Sequence, residues 1–538
     1  MPFDQSKQWF LAFACISLLS TTVSVSAQRW SGGPPEHDQW PIAGSDLANS
    51  WNQRGEHLIS PENVHRLKAK WVFTTGGDVS ATPTVDDDAV YFPDWAGNLF
   101  AVGKQSGRLI WSRQISDYDG FPGAVSRVSP AVDGDLIITG DLESYSQNHD
   151  GANVIALDKR TGELRWITSV EKHPAAIITG SPVVFRGVVY VGVSSVEETL
   201  GEDPTYLCCS FRGSIVALDE RTGAILWKTY DMPDNGGRTD LYSGGAVWQP
   251  PAIDPERGVL YIGTGNNYTA PAAVEACQNA NPTANCAAAD DYFDTALALD
   301  LKTGAIRWAN RLQGSDTWTI ACLLPGGATN PNCPVPSSPD FDLGGSGPNL
   351  MGKIVGFGQK SGVYWGLDAD SGKILWSTPV GPGGDLGGIE WGTATDGKRV
   401  YVAISNSNSL PYTLAPSGEQ ITWGAWSAVD VATGKILWQT PDPTGASDRS
   451  SVSVANGVMY AGSYAGQMYA LDAKTGEILW SFASGGSVLD APSIVDGTLY
   501  WGSGYQEIAP GIGNNKVYAF SLTEKQDRGG DPDDDHDR

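Results

Sequence analysis

The chain has 538 residues, with 35 Lys and Arg against 61 Asp and Glu, a formal net charge of −26. Such acidity argues against nucleic acid and anionic membrane surfaces as partners, and the one long apolar run, near the N-terminus, is too short for a stable membrane span. The length exceeds an ordinary single domain, so it calls for a fold that grows by repetition.

Lys7 precedes an apolar run over residues 9–19, and Val25-Ser26-Ala27 reads as a small-residue cleavage site. Residues 1–27 are therefore expected to be a secretory signal peptide, with the mature protein secreted or periplasmic. Residues 28–60 form an N-terminal extension. A ten-residue phrase then returns seven times, from VGKQSGRLIW at Val102 to LDAKTGEILW at Leu471, closing on Trp111, Trp166, Trp227, Trp308, Trp376, Trp438 and Trp480. Apolar–polar alternation before the turn reads as a half-buried strand. The Asp accepts from turn amides, the Gly takes a positive φ, and the aliphatic run into Trp is the next strand. Further short strands, such as 188–194, 259–265 and 458–464, precede the copies. A unit of roughly 40 residues holding one four-stranded antiparallel sheet is the signature of a propeller blade.

Residues 515–522 (NKVYAFSL) match the first half of the phrase, and 67–73 (LKAKWVF) match the second, with Trp71 at the Trp position. Joining them makes an eighth copy and removes two free sheet edges. The expected fold is all-β: an eight-bladed β-propeller over residues 61–522, closed by pairing of N- and C-terminal strands. Residues 523–538, ending DPDDDHDR, are a solvated acidic tail.

Cys15 falls in the signal peptide, which leaves six cysteines, and an even count in an exported protein suggests disulfides. Six allow 15 pairings; proximity favours Cys208 with Cys209, Cys277 with Cys286, and Cys322 with Cys333. No Cys-x-x-Cys-His occurs in these residues, so they carry no covalent c-type haem. Asn267-Tyr268-Thr269 is a glycosylation sequon.

The adjacent Cys208-Cys209, the Asp-x-x-Thr-Gly-x-x-x-Trp repeat and Gly263-Thr264-Gly265-Asn266 together resemble the pyrroloquinoline quinone (PQQ) dependent alcohol dehydrogenases, closest to the polyvinyl alcohol dehydrogenase branch. The matching stretches are 191–198 (VGVSSVEE), 208–223, 247–266 and 359–376, and the likeness covers nearly the whole propeller. The resemblance implies a vicinal disulfide, Cys208–Cys209, on one face of the quinone and Trp248 on the other. It implies a calcium ion held by Glu197, which Glu198 adjoins, together with Asn266 and Asp316. Lys360 would lie near the quinone oxygens, while Thr179, Arg127 and Arg212 would meet the PQQ carboxylates, with Ser194 nearby. The general base is expected at Asp316, although strict register against the methanol-oxidising relatives places Thr319 there. The implied activity is oxidation of a small-molecule or polymeric alcohol, with electrons passed to an external acceptor such as a cytochrome, a quinone or a dye. Two other readings stand beside it: a cofactor-free scaffolding propeller that shares the repeat, and a carbohydrate lyase.

Overall fold

The computed structural model describes residues 39–142, 151–281, 284–325, 327–335, 340–343, 345–508 and 510–522. The expected signal peptide and acidic tail lie outside the described residues. Eight antiparallel sheets follow one another around a ring, blades 1 to 7 spanning residues 84–114, 131–171, 176–230, 252–311, 346–379, 394–441 and 452–483. Each has four strands, and the third gains a fifth, Ala176–Ile177. Blade 8 is the composite one: Ser493–Val495, Thr498–Ser503 and Lys516–Leu522 are completed by Leu67–Thr74, in register Leu67↔Leu522 to Thr74↔Lys516. The ring thus closes as expected from the split repeat.

The recurring phrase works as a staple between blades. In the second copy Asp158 Oδ1 accepts from Arg160 N and Thr161 N, each at 3.0 Å, and folds the turn. Gly162, at φ +69, lies under the preceding blade's Trp111, where a Cβ would stand 2.9 Å from the indole. Each phrase Trp reaches a main-chain carbonyl in the next blade: Trp111 Nε1 donates to Lys159 O (3.0 Å), Trp166 to Glu220 O (2.8 Å) and Trp227 to Leu301 O (3.1 Å). Trp480 donates to Leu67 O (3.2 Å) and Trp71 to Lys104 O (3.1 Å), which carries the pattern across the closure. Each bond adds about 1 kcal/mol net, and burial of the ring supplies the larger share.

The N-terminal extension enters the propeller rather than hanging from it. Residues 40–53 run across one end of the axis and bond the innermost strands of seven blades. Trp40 pairs with Val85, and Pro41, Leu47, Ala48, Ser50 and Trp51 give their carbonyls to the amides of Val132, Ile253, Leu350, Thr395 and Val454. Gln53 Nε2 donates to Ile494 O at 3.1 Å. This segment plugs the axis at that end. Blade 4 carries a long insertion with one helix, Ala272–Ala280, stapled by Cys277–Cys286; a second staple is Cys322–Cys333.

Candidate active site

Facing the plug across the axis is a cleft of about 160 Å³, lined among others by Arg127, Thr179, Ser194, Glu198, Trp248 and Lys360. A smaller chamber of about 50 Å³ shares Arg127, Thr179 and Trp391 with it and is lined on the far side by Ala43 and Trp51 of the plug. Loops at the ends of inner strands position these side chains. Ser194 lies at the end of Val188–Ser195, and Lys360 follows Ile354–Gly358.

Lys360 is the electrostatic centre. Its Nζ lies 3.0 Å from Asp340 Oδ2 and 2.9 Å from Asp342 Oδ2, and 5.5 Å over the Trp248 ring. Burial opposes its charge, but Asp340, Asp342, Glu198 and Glu390 outweigh that and hold it well above the ordinary lysine value. Trp248 meets Trp391 edge-on, with centroids 5.2 Å apart. Trp391 in turn carries the Arg127 guanidinium 4.4 Å over its face. Thr179 Oγ1 is buried without a hydrogen-bond partner.

A set of coupled acids stands around this cation. Burial pushes Glu198 up to about 8, against the pull of Lys360 and with the help of Asp342 and Asp316. Asp316, 1 % exposed, is pushed up to about 7 by burial, against the Phe341 N–H that bonds its Oδ2. Asp294 pairs with Asp316 and is held far above the ordinary carboxyl value by burial and that neighbour, so it donates the shared proton. Asp340 is raised as well, mainly by burial. Such titrations belong to the group more than to one residue.

The structure brings Arg127, Thr179, Ser194, Trp248 and Lys360 onto one cleft; the other expected residues fall elsewhere. Glu197 is fully buried beside the cleft, with its carboxylate committed to Ser210 N (2.8 Å), Phe211 N (2.8 Å) and Tyr206 Oη (3.0 Å). The acid on the cleft wall is the adjoining Glu198. Asn266 is buried with its Nδ2 on Trp318 O at 3.0 Å. Asp316 lines a small pocket behind the cleft. Arg212 is drawn outward by Asp234, at 3.1 Å, and by the Tyr230 face, at 4.0 Å. Cys208 and Cys209 form the expected disulfide, and Cys209 packs in the same apolar cluster as Ala246, Val247 and Tyr268, next to Trp248. Asn267 of the sequon is 2 % exposed and bonds Asp291, which leaves no room for a glycan.

Asp294, Asp340, Asp342, Glu390 and Trp391 were not singled out from the sequence. The one local signal was Asp340-Phe341-Asp342, whose alternation can set two carboxylates on one side of an extended segment. Among the described residues no group of three or more His, Cys, Asp or Glu forms a metal cage. The donors are nonetheless suited to PQQ, a flat polycarboxylate: an indole face, two cations and an orphaned hydroxyl converge on one cleft.

A family model described as the glucose/ethanol/alcohol dehydrogenase β-propeller domain matches residues 40–321, and a second, described as outer membrane protein assembly factor BamB, matches 424–525. A polyvinylalcohol dehydrogenase of Sphingopyxis sp. (strain 113P3) is 31 % identical over 89 % of this chain and 73 % of its own length. A second, of Pseudomonas sp., is 30 % identical over 87 % and 73 %. The solved quinohemoprotein alcohol dehydrogenase of Comamonas testosteroni superposes with a TM-score of 0.69 at 22 % identity, covering 92 % of this chain and 83 % of that one. The chain belongs to the quinoprotein alcohol dehydrogenase family and is an oxidoreductase of that kind.

Proposed function

We propose that the cleft binds PQQ with a calcium ion and oxidises an alcohol to the aldehyde or ketone. Primary and secondary alcohols both qualify, including the secondary hydroxyls of a polyvinyl alcohol-like polymer, and the electrons pass to an external acceptor. The observation that carries this reading is the buried Lys360 ammonium held by two carboxylates over the Trp248 face. When bound, PQQ supplies a two-electron acceptor.

The chain's own residues do the rest. Trp248 offers a flat face, and Arg127 and Thr179 Oγ1 offer donors for carboxylate oxygens. Lys360 holds positive charge where electron density collects. Calcium belongs at the edge where Glu198 lies near Asp316 and where Asn266 bonds Trp318, since hard cations take oxygen ligands. The substrate hydroxyl must lose its proton to a carboxylate within reach. Of Glu198 and Asp316, both raised into the working range, Glu198 lines the cleft and is assigned as the acceptor. Asp316, the base expected from the sequence, stands behind it in contact with Asp294 and can hold the proton next. The reading includes export under residues 1–27. It also redraws the domain boundary, because residues 40–53 belong to the propeller they plug.

The test is equilibrium binding of PQQ to the oxidised, exported protein with and without calcium, followed by dye-linked alcohol oxidation. Calcium-dependent binding with turnover is expected. No binding under either condition would leave a cofactor-free propeller, as the second matched family model allows.

A further inference from the structure

Four oxygens without partners lie away from the cleft: Asp231 Oδ1 and Oδ2, Asp291 Oδ1 and Asn267 Oδ1. Their residues are 2 %, 0 % and 2 % exposed, respectively. Asp231 follows the outer strand Ile225–Tyr230 of blade 3, Asn267 opens the short strand Asn267–Thr269, and Asp291 lies at the end of the disulfide-stapled insertion. Several contacts bring them together. Tyr292 N donates to Asp231 O at 2.8 Å, and Asn267 Nδ2 donates to Asp291 Oδ2 at 3.0 Å. Gly244 pairs with Asn267, and a Cβ on the next residue, Gly245, would stand 2.6 Å from Asp231 Oδ1; one on Gly213 would stand 2.6 Å from Oδ2. Glycine on both sides leaves open the space that the Asp231 carboxylate faces.

All four orphans are acceptors, which a cation, a water or a proton can meet, and burial raises both acids in the absence of one. Each nearby arginine attracts one of these acids without forming an ion pair with it. Arg311 gives Nη2 to the carbonyls of Ala288 and Asp291 and Nη1 to Asn285 Oδ1, and its Nε bonds neither carboxylate. Arg212 pairs with Asp234. In two other buried acid pairs, Asp294 with Asp316 and Asp448 with Asp442, a direct carboxyl–carboxyl hydrogen bond takes up the proton. Asp231 has no such partner, since Asp291 acts on it through charge alone. An uncompensated buried carboxylate costs several kcal/mol.

We propose that Asp231, Asp291 and Asn267 form a second cation site, distinct from the cleft, that takes Ca²⁺. The donor set is all oxygen, two carboxylates and an amide, which suits a hard ion of six to eight ligands rather than zinc; water and main-chain carbonyls complete the shell. The ion ties the blade 4 insertion to the end of blade 3. It also anchors the strand that begins one residue after Asn266, and so steadies the back wall of the cleft.

The full-length oxidised protein, without PQQ, is stripped with a chelator and titrated with calcium alone. Bound calcium and the rate of proteolysis within residues 272–290 are read for the native protein and for Asp231→Asn, Asp291→Asn and Glu198→Gln. Native protein and Glu198→Gln are expected to bind the ion and to be cut about 10-fold more slowly at ten times Kd. Asp231→Asn and Asp291→Asn should each lack one equivalent and the protection. The proposal is overturned if both Asp variants keep the native calcium content, if only Glu198→Gln loses it, or if the native protein neither binds calcium nor gains protection. Should Asp231→Asn fail to fold, Asp291→Asn and the native titration decide the matter. Loss of PQQ turnover with this calcium retained would count against the cleft reading alone.

Discussion

The two ends of the propeller axis are built from opposite solutions to the same problem, a ring of inner strands with polar edges. At the plugged end, buried polar groups are largely met within the chain. Asp46 takes Ser50 N and Oγ, Asn52 Nδ2 reaches Thr395 O at 3.1 Å, and Gln53 spans to Ile494, while Asn49 Oδ1, Thr84 Oγ1, Asp490 Oδ1 and Ser493 Oγ are the exceptions. At the cleft end Thr179 Oγ1, Asp316 Oδ1, Asp340 Oδ1 and Glu390 Oε2 have no partner, and acids crowd round one lysine. A satisfied network rigidifies, while an unsatisfied one costs stability and is kept where a ligand completes it. The plug is thus a structural seal, and the cleft is where function has been given precedence over stability.

The largest expected effect sharpens this contrast. Glu198→Gln should lower kcat by roughly 10²–10⁴-fold while leaving thermal stability little changed below about pH 8, where the carboxyl it replaces is already neutral in the metal-free protein. In the native enzyme the rate should rise with pH as Glu198 ionises, at a pH that bound calcium sets below the value of the metal-free protein. Steady-state rates against pH check both statements, and a limb that survives in the variant would return the proton to Asp316. Lys360→Met leaves Asp340 and Asp342 facing each other uncompensated and should cost about 3–5 kcal/mol and abolish PQQ binding, as denaturant titration and cofactor fluorescence would record. Trp51→Ala attacks the other end. It should cost a similar 3–5 kcal/mol yet leave kcat within a few-fold, since Trp51 lines only the lower chamber. An equal loss of kcat would show that the ends are not separable.

The same comparison explains what was legible in the sequence. The ring was, because each blade repeats one chemical event, a Trp donating across to the next turn, and the split eighth copy could be joined from residues 515–522 and 67–73, with Trp71 at the Trp position. Cleft residues standing next to repeat motifs, such as Lys360 before its strand and Trp248 before Val259–Gly263, were legible through the family resemblance. Asp340, Asp342 and Glu390 were not, since they sit on inserted loops with no register, and only the closed ring carries them to Lys360. Glu197 and Glu198 illustrate the limit: adjacent identical residues leave the strand end on opposite sides, and nothing in their order says which one faces the cleft. The contacts of the N-terminal extension were not legible because Trp40, Ile42, Leu47 and Trp51 follow no period. They are spaced to meet successive blades rather than a helix or strand face.

A pH dependence of stability follows from the raised acids. Glu198 and Asp316 hold their protons in the folded state up to about 8 and about 7, whereas the unfolded chain releases them near 4. Their contribution is therefore fully present below about pH 4 and is lost as pH rises through the folded values. The cofactor-free protein should melt a few degrees higher at pH 5 than at pH 8.5. Asp294→Asn, which cannot share its proton with Asp316 as a carboxyl does, should alter that slope, and calorimetry across the range would show it. A melting temperature that climbs with pH would mean that these acids are ionised in the folded state.

The smallest expected effect separates the two ends most directly. Thr179→Val deletes a hydroxyl that bonds nothing in the chain, so the cofactor-free protein should lose no stability and can gain some, because an unpaired polar atom leaves the interior. Ser50→Ala at the plug deletes a hydroxyl that donates to Asp46 Oδ2 at 2.8 Å, and should cost about 1 kcal/mol. With PQQ present the ranking should reverse. Thr179→Val is expected to weaken cofactor binding by about 1 kcal/mol, roughly 5-fold in Kd, while Ser50→Ala leaves Kd alone. Melting curves with and without PQQ on the two variants read all four quantities, and a Thr179→Val protein destabilised without cofactor would mean that its hydroxyl already has a partner inside the fold.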